Sequence, residues 1–300
     1  MHPSRRALAV VLLLASFAAS LPAQRGKPTL EWQAGTAALD YGAVQVGQHG
    51  LSELKVGDQW RLGMGDATRL SLQMPALVGD SWVPPGEYRL RLVRLEERKC
   101  AVVVQGSGFA LGGEDARMPG DLDKTDKPTK KLVLDWHKGA SKDKTTLPVD
   151  LLVQFGETQW QGALQLAGSK TQKCNAYELT VFALPAAAVE QRGDKPIVLA
   201  SLHKKSGPES TRMFNVVLAA KDSKLAPWVV VPADNFAELK GPADQDGTTG
   251  KVATAPATGT AGAFVELRSA ALQKGTFELQ FAAGKDLLTL SLPEPAAKGK

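Results

Sequence analysis

The sequence predicts an all-β protein, an antiparallel β-sandwich with two β domains in tandem. Apolar and charged residues alternate with period two, most clearly in EYRLRLVRL at 87–95, where Tyr88, Leu90 and Leu92 share one face. Short runs of this kind recur along the chain, and breakers such as PPG at 84–86 separate them. Helical periodicity is scarce, with a short turn near 186–191 as the exception. Regular short strands with turn residues between them indicate a sandwich or a barrel.

The predicted strands follow from the same pattern. Residues 87–95 and 99–105 form the best defined hairpin, because an alternating strand is followed by the valine-rich run KCAVVVQ. Proline and glycine at 85–86 supply the turn that leads into the first of these strands. The other predicted strands lie at 69–74, 131–136, 149–155, 160–166, 177–182, 196–202, 213–218, 228–231, 264–267, 276–281 and 287–292.

The domain organisation begins with a secretory signal peptide at 1–23. Two arginines precede an apolar run at 7–19, and small residues lead to a cleavage point after Ala23. That run is shorter than the roughly 20 residues that span a bilayer. We therefore expect a secreted or periplasmic protein whose mature form has no transmembrane segment.

The remainder of the chain is predicted to divide near Gly156. Strand pairs at 131–155 and 263–281 resemble each other, which leaves a duplication open and predicts β domains at 24–156 and 157–292. Small and polar residues fill 241–262, so this stretch is predicted to be a flexible insertion in the second domain. Residues 293–300 are predicted to form a disordered tail.

The charged residues predict a mixed, solvated surface. The chain has 36 basic and 31 acidic residues, for a net charge of +5, and opposite charges are interspersed, as in EERK at 96–99. This mixture argues against a nucleic-acid partner. Cys100 lies in an apolar run and Cys174 in a polar stretch, so a disulfide and two free thiols both stay open in an oxidising compartment.

Residues 59–92 carry a motif found in a known family. Trp60 and Arg61 precede Gly63 and the Ala-Thr pair at 67–68, and PGEYRL follows at 85–90. With LVLDW at 132–136, the pattern resembles the exported bacterial family called domain of unknown function 2911, over about residues 40–155. Met-Gly-Asp at 64–66 replaces that family's Ala-Asn-Glu. The resemblance implies a β fold and export, and it implies no particular chemistry.

The sequence predicts no catalytic residue, no metal site and no cofactor. His49, His137 and His203 lie far apart, without the short spacing of zinc ligands. The serines in GSG at 106–108 and GSK at 168–170 lack the nucleophile-elbow pattern. Aspartates at 121, 123 and 126 have a spacing that suits calcium, but lysines stand among them, which indicates a hydrated polar loop.

Four residues are predicted to form a binding site: His49, Trp60, Arg61 and Tyr88. His49 lies in a glycine-rich loop, and Arg61 has the charge to pair with a carboxylate or another anion. Two interpretations are open for the aromatic side chains of Trp60 and Tyr88: they contact a ligand, or they pack in the core.

Two functions are consistent with these observations. The first is an exported, non-catalytic β-sandwich protein with a binding or structural role in the bacterial envelope, whose partner is an envelope protein or a polysaccharide. The alternative is a hydrolase that acts on glycans through carboxylates such as Glu87, Asp115 or Asp135. A paired acidic cleft would distinguish the hydrolase from the binding protein.

Overall fold

The computed structural model shows a chain built of antiparallel β-strands, which confirms the predicted all-β class. It describes residues 25–33, 35–47, 50–106, 115–142, 145–174, 177–185, 197–206, 209–221, 224–230, 251–256, 264–283 and 286–293. Within these ranges the one helical element is a short 3-10 turn, Leu51–Glu53. No helix of the length and hydropathy needed for a membrane span occurs in this part of the chain.

The strands are short in the first part of the chain and longer in the second. The first twelve are β1 (Arg25–Gly26), β2 (Thr29–Trp32), β3 (Gly35–Gly42), β4 (Gln59–Trp60), β5 (Arg69–Leu72), β6 (Ala76–Val78), β7 (Ser81–Val83), β8 (Gly86–Arg94), β9 (Lys99–Gln105), β10 (Ala116–Lys124), β11 (Val133–Lys138) and β12 (Thr146–Phe155). The others are β13 (Thr158–Cys174), β14 (Tyr177–Pro185), β15 (Ile197–Ser206), β16 (Glu209–Lys221), β17 (Lys224–Val230), β18 (Lys251–Pro256), β19 (Phe264–Gln273), β20 (Thr276–Ala283) and β21 (Asp286–Pro293).

The first part of the chain forms one sheet that is nearly barrel-shaped. Its neighbouring strands are β3, β5, β8, β9, β10, β13, β12 and β11, in that order. A bridge between Gln45 and Lys131 joins the segment after β3 to the segment before β11, and the N–H of Val46 donates to the carbonyl of Lys130 at 2.9 Å. These contacts bring the two edges of the sheet together. The predicted β8–β9 hairpin is confirmed, while the sandwich arrangement and the tandem domains stay predictions.

Strand β13 connects the barrel-shaped sheet to the second part of the chain. It pairs with β12 up to Ala167 and with β14 from Gly168 onward. Strands β14 to β17 form an antiparallel meander, and β18, β21, β20 and β19 form a further ladder. Gly156, with φ of +65°, lies in the turn between β12 and β13. The boundary predicted at 156–157 therefore falls within a hairpin.

The apolar faces of these strands form the core. In β8 the predicted alternation is present, with Tyr88, Leu90 and Leu92 buried and the intervening residues exposed. Strand β9 is buried on both faces, as expected for its run of valines. The side chain of Trp160 is 0% exposed, and its indole N–H donates to the carbonyl of Cys100 at 3.3 Å. This cluster supplies the hydrophobic stabilisation of the barrel-shaped sheet.

Two predicted loops are strands in part. Strand β10 extends to Lys124 and pairs with both β9 and β13, so aspartates 121 and 123 lie on a strand and not in a polar loop. Strand β18 occupies residues 251–256 of the predicted flexible insertion and pairs with β21. In both stretches the pairing with distant strands overrides a locally polar composition.

Cys100 is a free, buried thiol. Burial raises the pKa of this thiol, and the nearby charge of Arg94 lowers it. Cys100 therefore packs as a small apolar residue in β9.

Several sequence predictions concern residues outside the described ranges. These are the signal peptide at 1–23, His49, the helical turn near 186–191, residues 241–250 and 257–262 of the insertion, and the tail beyond Pro293.

Candidate functional site

A cleft of about 380 Å³ lies at one end of the barrel-shaped sheet, and we call it the end cleft. The end of β3, the 3-10 turn, the end of β4 and the end of β12 meet there. Its lining is mainly apolar, with Gln45 and Arg61 as its larger polar side chains. Apolar pockets with a few polar groups, in the mouths of barrel-shaped sheets, are typical ligand sites. The lining residues are Val44, Gln45, Gly47, Gly50, Leu51, Leu54, Trp60, Arg61, Gly63, Met64 and Phe155.

Two aromatic residues form one side of the end cleft. Trp60 lies opposite Leu92 in the β4–β8 register, so it shares the inward face of that strand pair. Its ring centroid is 5.5 Å from that of Phe155, with the planes tilted by 42°. Such pairs contribute about 0.5–1.5 kcal/mol beyond the burial of their area. The contact fixes the orientation of Trp60 while leaving part of the indole exposed to the cleft.

A tight loop at 61–68 holds Arg61 at the rim of the end cleft. Leu62 is fully buried and has φ of +56°, a left-handed conformation that costs a non-glycine residue about 1–2 kcal/mol. Gly63 has φ of +146°, and a Cβ there would lie 2.8 Å from the carbonyl oxygen of Gly42. The hydroxyl of buried Thr68 donates to the carbonyl of Leu62 at 2.5 Å. Strained backbone of this kind is concentrated at functional sites.

The structure brings together two of the four predicted binding residues. Trp60 and Arg61 both line the end cleft. Tyr88 is a core residue, which corrects its assignment to a binding site: its side chain is 2% exposed and its hydroxyl donates to the carbonyl of Pro84 at 2.6 Å. Burial raises the pKa of Tyr88 well above its usual value. His49 lies outside the described residues.

A second opening, which we call the arginine groove, lies beside the end cleft on the outer wall of the sheet. Strands β4 and β5 pair with the same edge of β8, at residues 92–93 and 86–89, and between them the N–H of Leu90 donates to the carbonyl of Thr68 at 2.9 Å. A groove of about 520 Å³ lies at this break between β4 and β5. Trp60 and Arg61 line both openings. The lining of the groove consists of Gln59, Trp60, Arg61, Ala67, Arg89, Leu90 and Arg91.

The carboxylates considered for a hydrolase lie in three different segments of the chain. Glu87 lies on β8, Asp115 lies just before β10 and Asp135 lies on β11, and all three are exposed. The carboxylate of Asp135 accepts a hydrogen bond from the N–H of Trp136 at 2.8 Å. Among the described residues, no group of three or more His, Cys, Asp and Glu side chains is arranged to hold a metal ion.

The fold and the two openings define an antiparallel β-protein with an apolar, ligand-sized cleft at one end of a barrel-shaped sheet. No known protein family, curated protein or solved structure matches the chain. The resemblance to domain of unknown function 2911 stays a prediction from its motif. The geometry of the end cleft and the arginine groove therefore carries the functional argument.

Replacing Thr68 with valine should lower the free energy of unfolding by about 1–3 kcal/mol. Valine has no hydroxyl, so the buried carbonyl of Leu62 would lose its donor. Urea unfolding followed by circular dichroism measures the difference. The matched control is Thr29→Val on the exposed face of β2, which should change stability by less than about 0.5 kcal/mol. Equal losses in both variants would show that the Thr68 hydrogen bond does not hold the loop.

Proposed function

We propose that this protein is an exported, non-catalytic binding protein of the bacterial envelope and that its ligand occupies the end cleft. The observation that carries the proposal is the apolar lining around Trp60 and Phe155, with the guanidinium of Arg61 at the rim. An apolar surface supplies affinity by excluding water, and a small number of polar groups fixes the orientation of the ligand. The signal-peptide pattern of the sequence supports export.

Exposed apolar side chains support a contact surface at this end of the sheet. Val46, Val56, Met64 and Leu95 are the large apolar residues that are exposed within the described ranges. Met64 lines the end cleft and is 49% exposed, and Val46 lies between the lining residues Gln45 and Gly47. Single exposed apolar residues are normal, but exposed apolar side chains at a ligand-sized cleft are typical of a binding surface.

Binding of a neutral apolar dye, N-phenyl-1-naphthylamine, tests the proposal. The mature protein should raise the fluorescence of the dye in a saturable manner, and Trp60→Ala should weaken binding at least tenfold because the variant loses the aromatic side of the cleft. The control is Trp136→Ala, a half-buried tryptophan on β11 outside the cleft lining.

A second variant keeps the test valid if Trp60→Ala does not fold. Met64→Asp places a charge on an exposed position of the cleft lining and should also abolish dye binding. Unsaturable dye fluorescence, or equal binding by wild type and both cleft variants, would contradict the proposal. Release of reducing ends from glycans by the purified protein would support the carboxylate hydrolase in its place.

A further inference from the structure

We infer that the ligand is an amphipathic anion whose apolar part occupies the end cleft and whose carboxylate, sulfate or phosphate group lies in the arginine groove. The inference rests on the proposed function and deepens it by assigning a chemical class to the ligand. It also assigns binding of the anionic group to Arg89 and Arg91, which line the arginine groove but not the end cleft.

The two openings meet at the same pair of residues. Trp60 and Arg61 line both, so a molecule bound in the end cleft needs only to pass this rim to reach the groove. Arg61, Arg89 and Arg91 line the groove, and its lining contains no acidic residue. Guanidinium groups bind carboxylate and phosphate in a two-pronged geometry, which makes them suited to an anionic head group.

These arginines have few partners within the described part of the chain. Arg61 and Arg89 make no ion pair or hydrogen bond there, and the contact of Arg91 is a 3.4 Å hydrogen bond from Nη1 to the Gln59 side-chain oxygen. That bond lies at the long limit for a hydrogen bond. Their donors are thus available to a ligand.

A like-charge pair next to the groove also points to an anion. Arg69 on β5 lies directly opposite Arg89 on β8, and both side chains are exposed. Like charges in this position destabilise a strand pair. Asp40 lies on the other side of Arg69, but its carboxylate accepts a hydrogen bond from Arg25 Nε at 2.5 Å. Glu87, an exposed acidic residue, lies two residues before Arg89 on the same face of β8. A bound anion would offset the repulsion that remains.

The surroundings favour a small amphipathic anion over an acidic polymer. An acidic polysaccharide would need a long basic surface, whereas basic and acidic residues alternate over this chain and leave no broad field of one sign. The groove adjoins an apolar cleft, and an acidic polymer has no apolar segment to fill it. A molecule with one charged end and one apolar end matches both openings.

Calorimetric titration with dodecanoate and with dodecanol, both below their aggregation limits, tests this inference. Wild type should bind dodecanoate at least tenfold more tightly than dodecanol, and the difference should shrink as the salt concentration rises. Arg61→Gln and the double variant Arg89→Gln with Arg91→Gln should bring the two affinities together, because dodecanoate loses the guanidinium partners of its carboxylate. The control, Lys170→Gln on β13, removes an exposed charge outside both openings and should keep the wild-type preference.

The outcomes separate this inference from the proposed function. Equal binding of dodecanoate and dodecanol would overturn the anionic head group and leave the apolar cleft in place. Binding of neither would overturn the proposed function itself. Binding of polygalacturonate in preference to dodecanoate would also overturn the inference. The thermal midpoint of the Arg89→Gln single variant should equal or exceed that of wild type, because the substitution removes a like-charge pair. A lower midpoint would show that Arg89 stabilises the fold and would contradict its role in ligand binding.

Discussion

Replacing Trp160 with alanine is expected to lower the free energy of unfolding by about 3–5 kcal/mol. The side chain is 0% exposed and lies where β10, β13 and β9 meet. Truncation removes a large aromatic surface from the core and leaves a cavity that the surrounding strands fill only in part. It also removes the indole N–H that donates to the carbonyl of Cys100, a hydrogen bond whose net contribution is about 0.5–1.5 kcal/mol.

Two glycines explain why neighbouring side chains cannot fill that cavity. Gly120 and Gly162 lie directly opposite each other on β10 and β13, and the indole of Trp160 lies against both. A Cβ at Gly120 would approach the indole nitrogen to 2.8 Å, and a Cβ at Gly162 would overlap the ring. The absence of side chains at these two glycines makes room for the indole ring. When the ring is removed, neither glycine has a side chain that can fill the space.

Urea unfolding followed by circular dichroism measures the loss. Trp160→Phe should fall between wild type and Trp160→Ala, because it keeps an aromatic ring but not the indole donor. The control is Val56→Ala at a residue that is 65% exposed, where a change below about 0.5 kcal/mol is expected. A loss of less than 1 kcal/mol in Trp160→Ala would contradict the position of this residue in the core.

The strands that the sequence predicts are those in which the burial pattern can be read locally. In β8 every second residue is buried, and β9 is a run of β-branched residues, so each is visible without knowledge of its partners. Strands β1, β4, β6 and β7 have two or three residues each, too few for a period to appear. Strand β10 has a polar end that is held by pairing on both edges. The positions of these short or polar strands depend on pairing with distant strands, which a local pattern does not reveal.

The candidate site was predictable only in part, because the register of strand pairing brings together residues that are distant in the sequence. Trp60 and Arg61 stand out in the sequence as a motif, whereas Phe155 reaches the end cleft from the end of β12. Arg89 and Arg91 have no motif that singles them out, and their groove depends on where β4 and β5 pair along β8. The burial of Tyr88 could be predicted from the sequence, because this residue lies on the same face of the alternating strand as the buried leucines.

Raising the pH above about 10 is expected to destabilise the protein through Tyr88. Burial raises the pKa of this hydroxyl well above its usual value, which is about 10. Between these two pKa values the unfolded chain loses the proton and the folded chain keeps it. The unfolded state then binds fewer protons, so stability falls as pH rises. The contribution of Tyr88 is fully present below pH 10 and declines by about 1.4 kcal/mol per pH unit above it.

Comparison with Tyr88→Phe isolates this effect. At pH 7 the variant should be less stable by about 1 kcal/mol, because the carbonyl of Pro84 loses the hydroxyl that donates to it at 2.6 Å. Above pH 10 its stability should decline less steeply than that of wild type, since phenylalanine has no proton to lose, and the two curves should converge. Urea unfolding at a series of pH values from 8 to 11 measures both slopes. Parallel curves over this range would show that Tyr88 ionises in the folded protein as easily as in the unfolded chain, contrary to its burial on the inner face of β8.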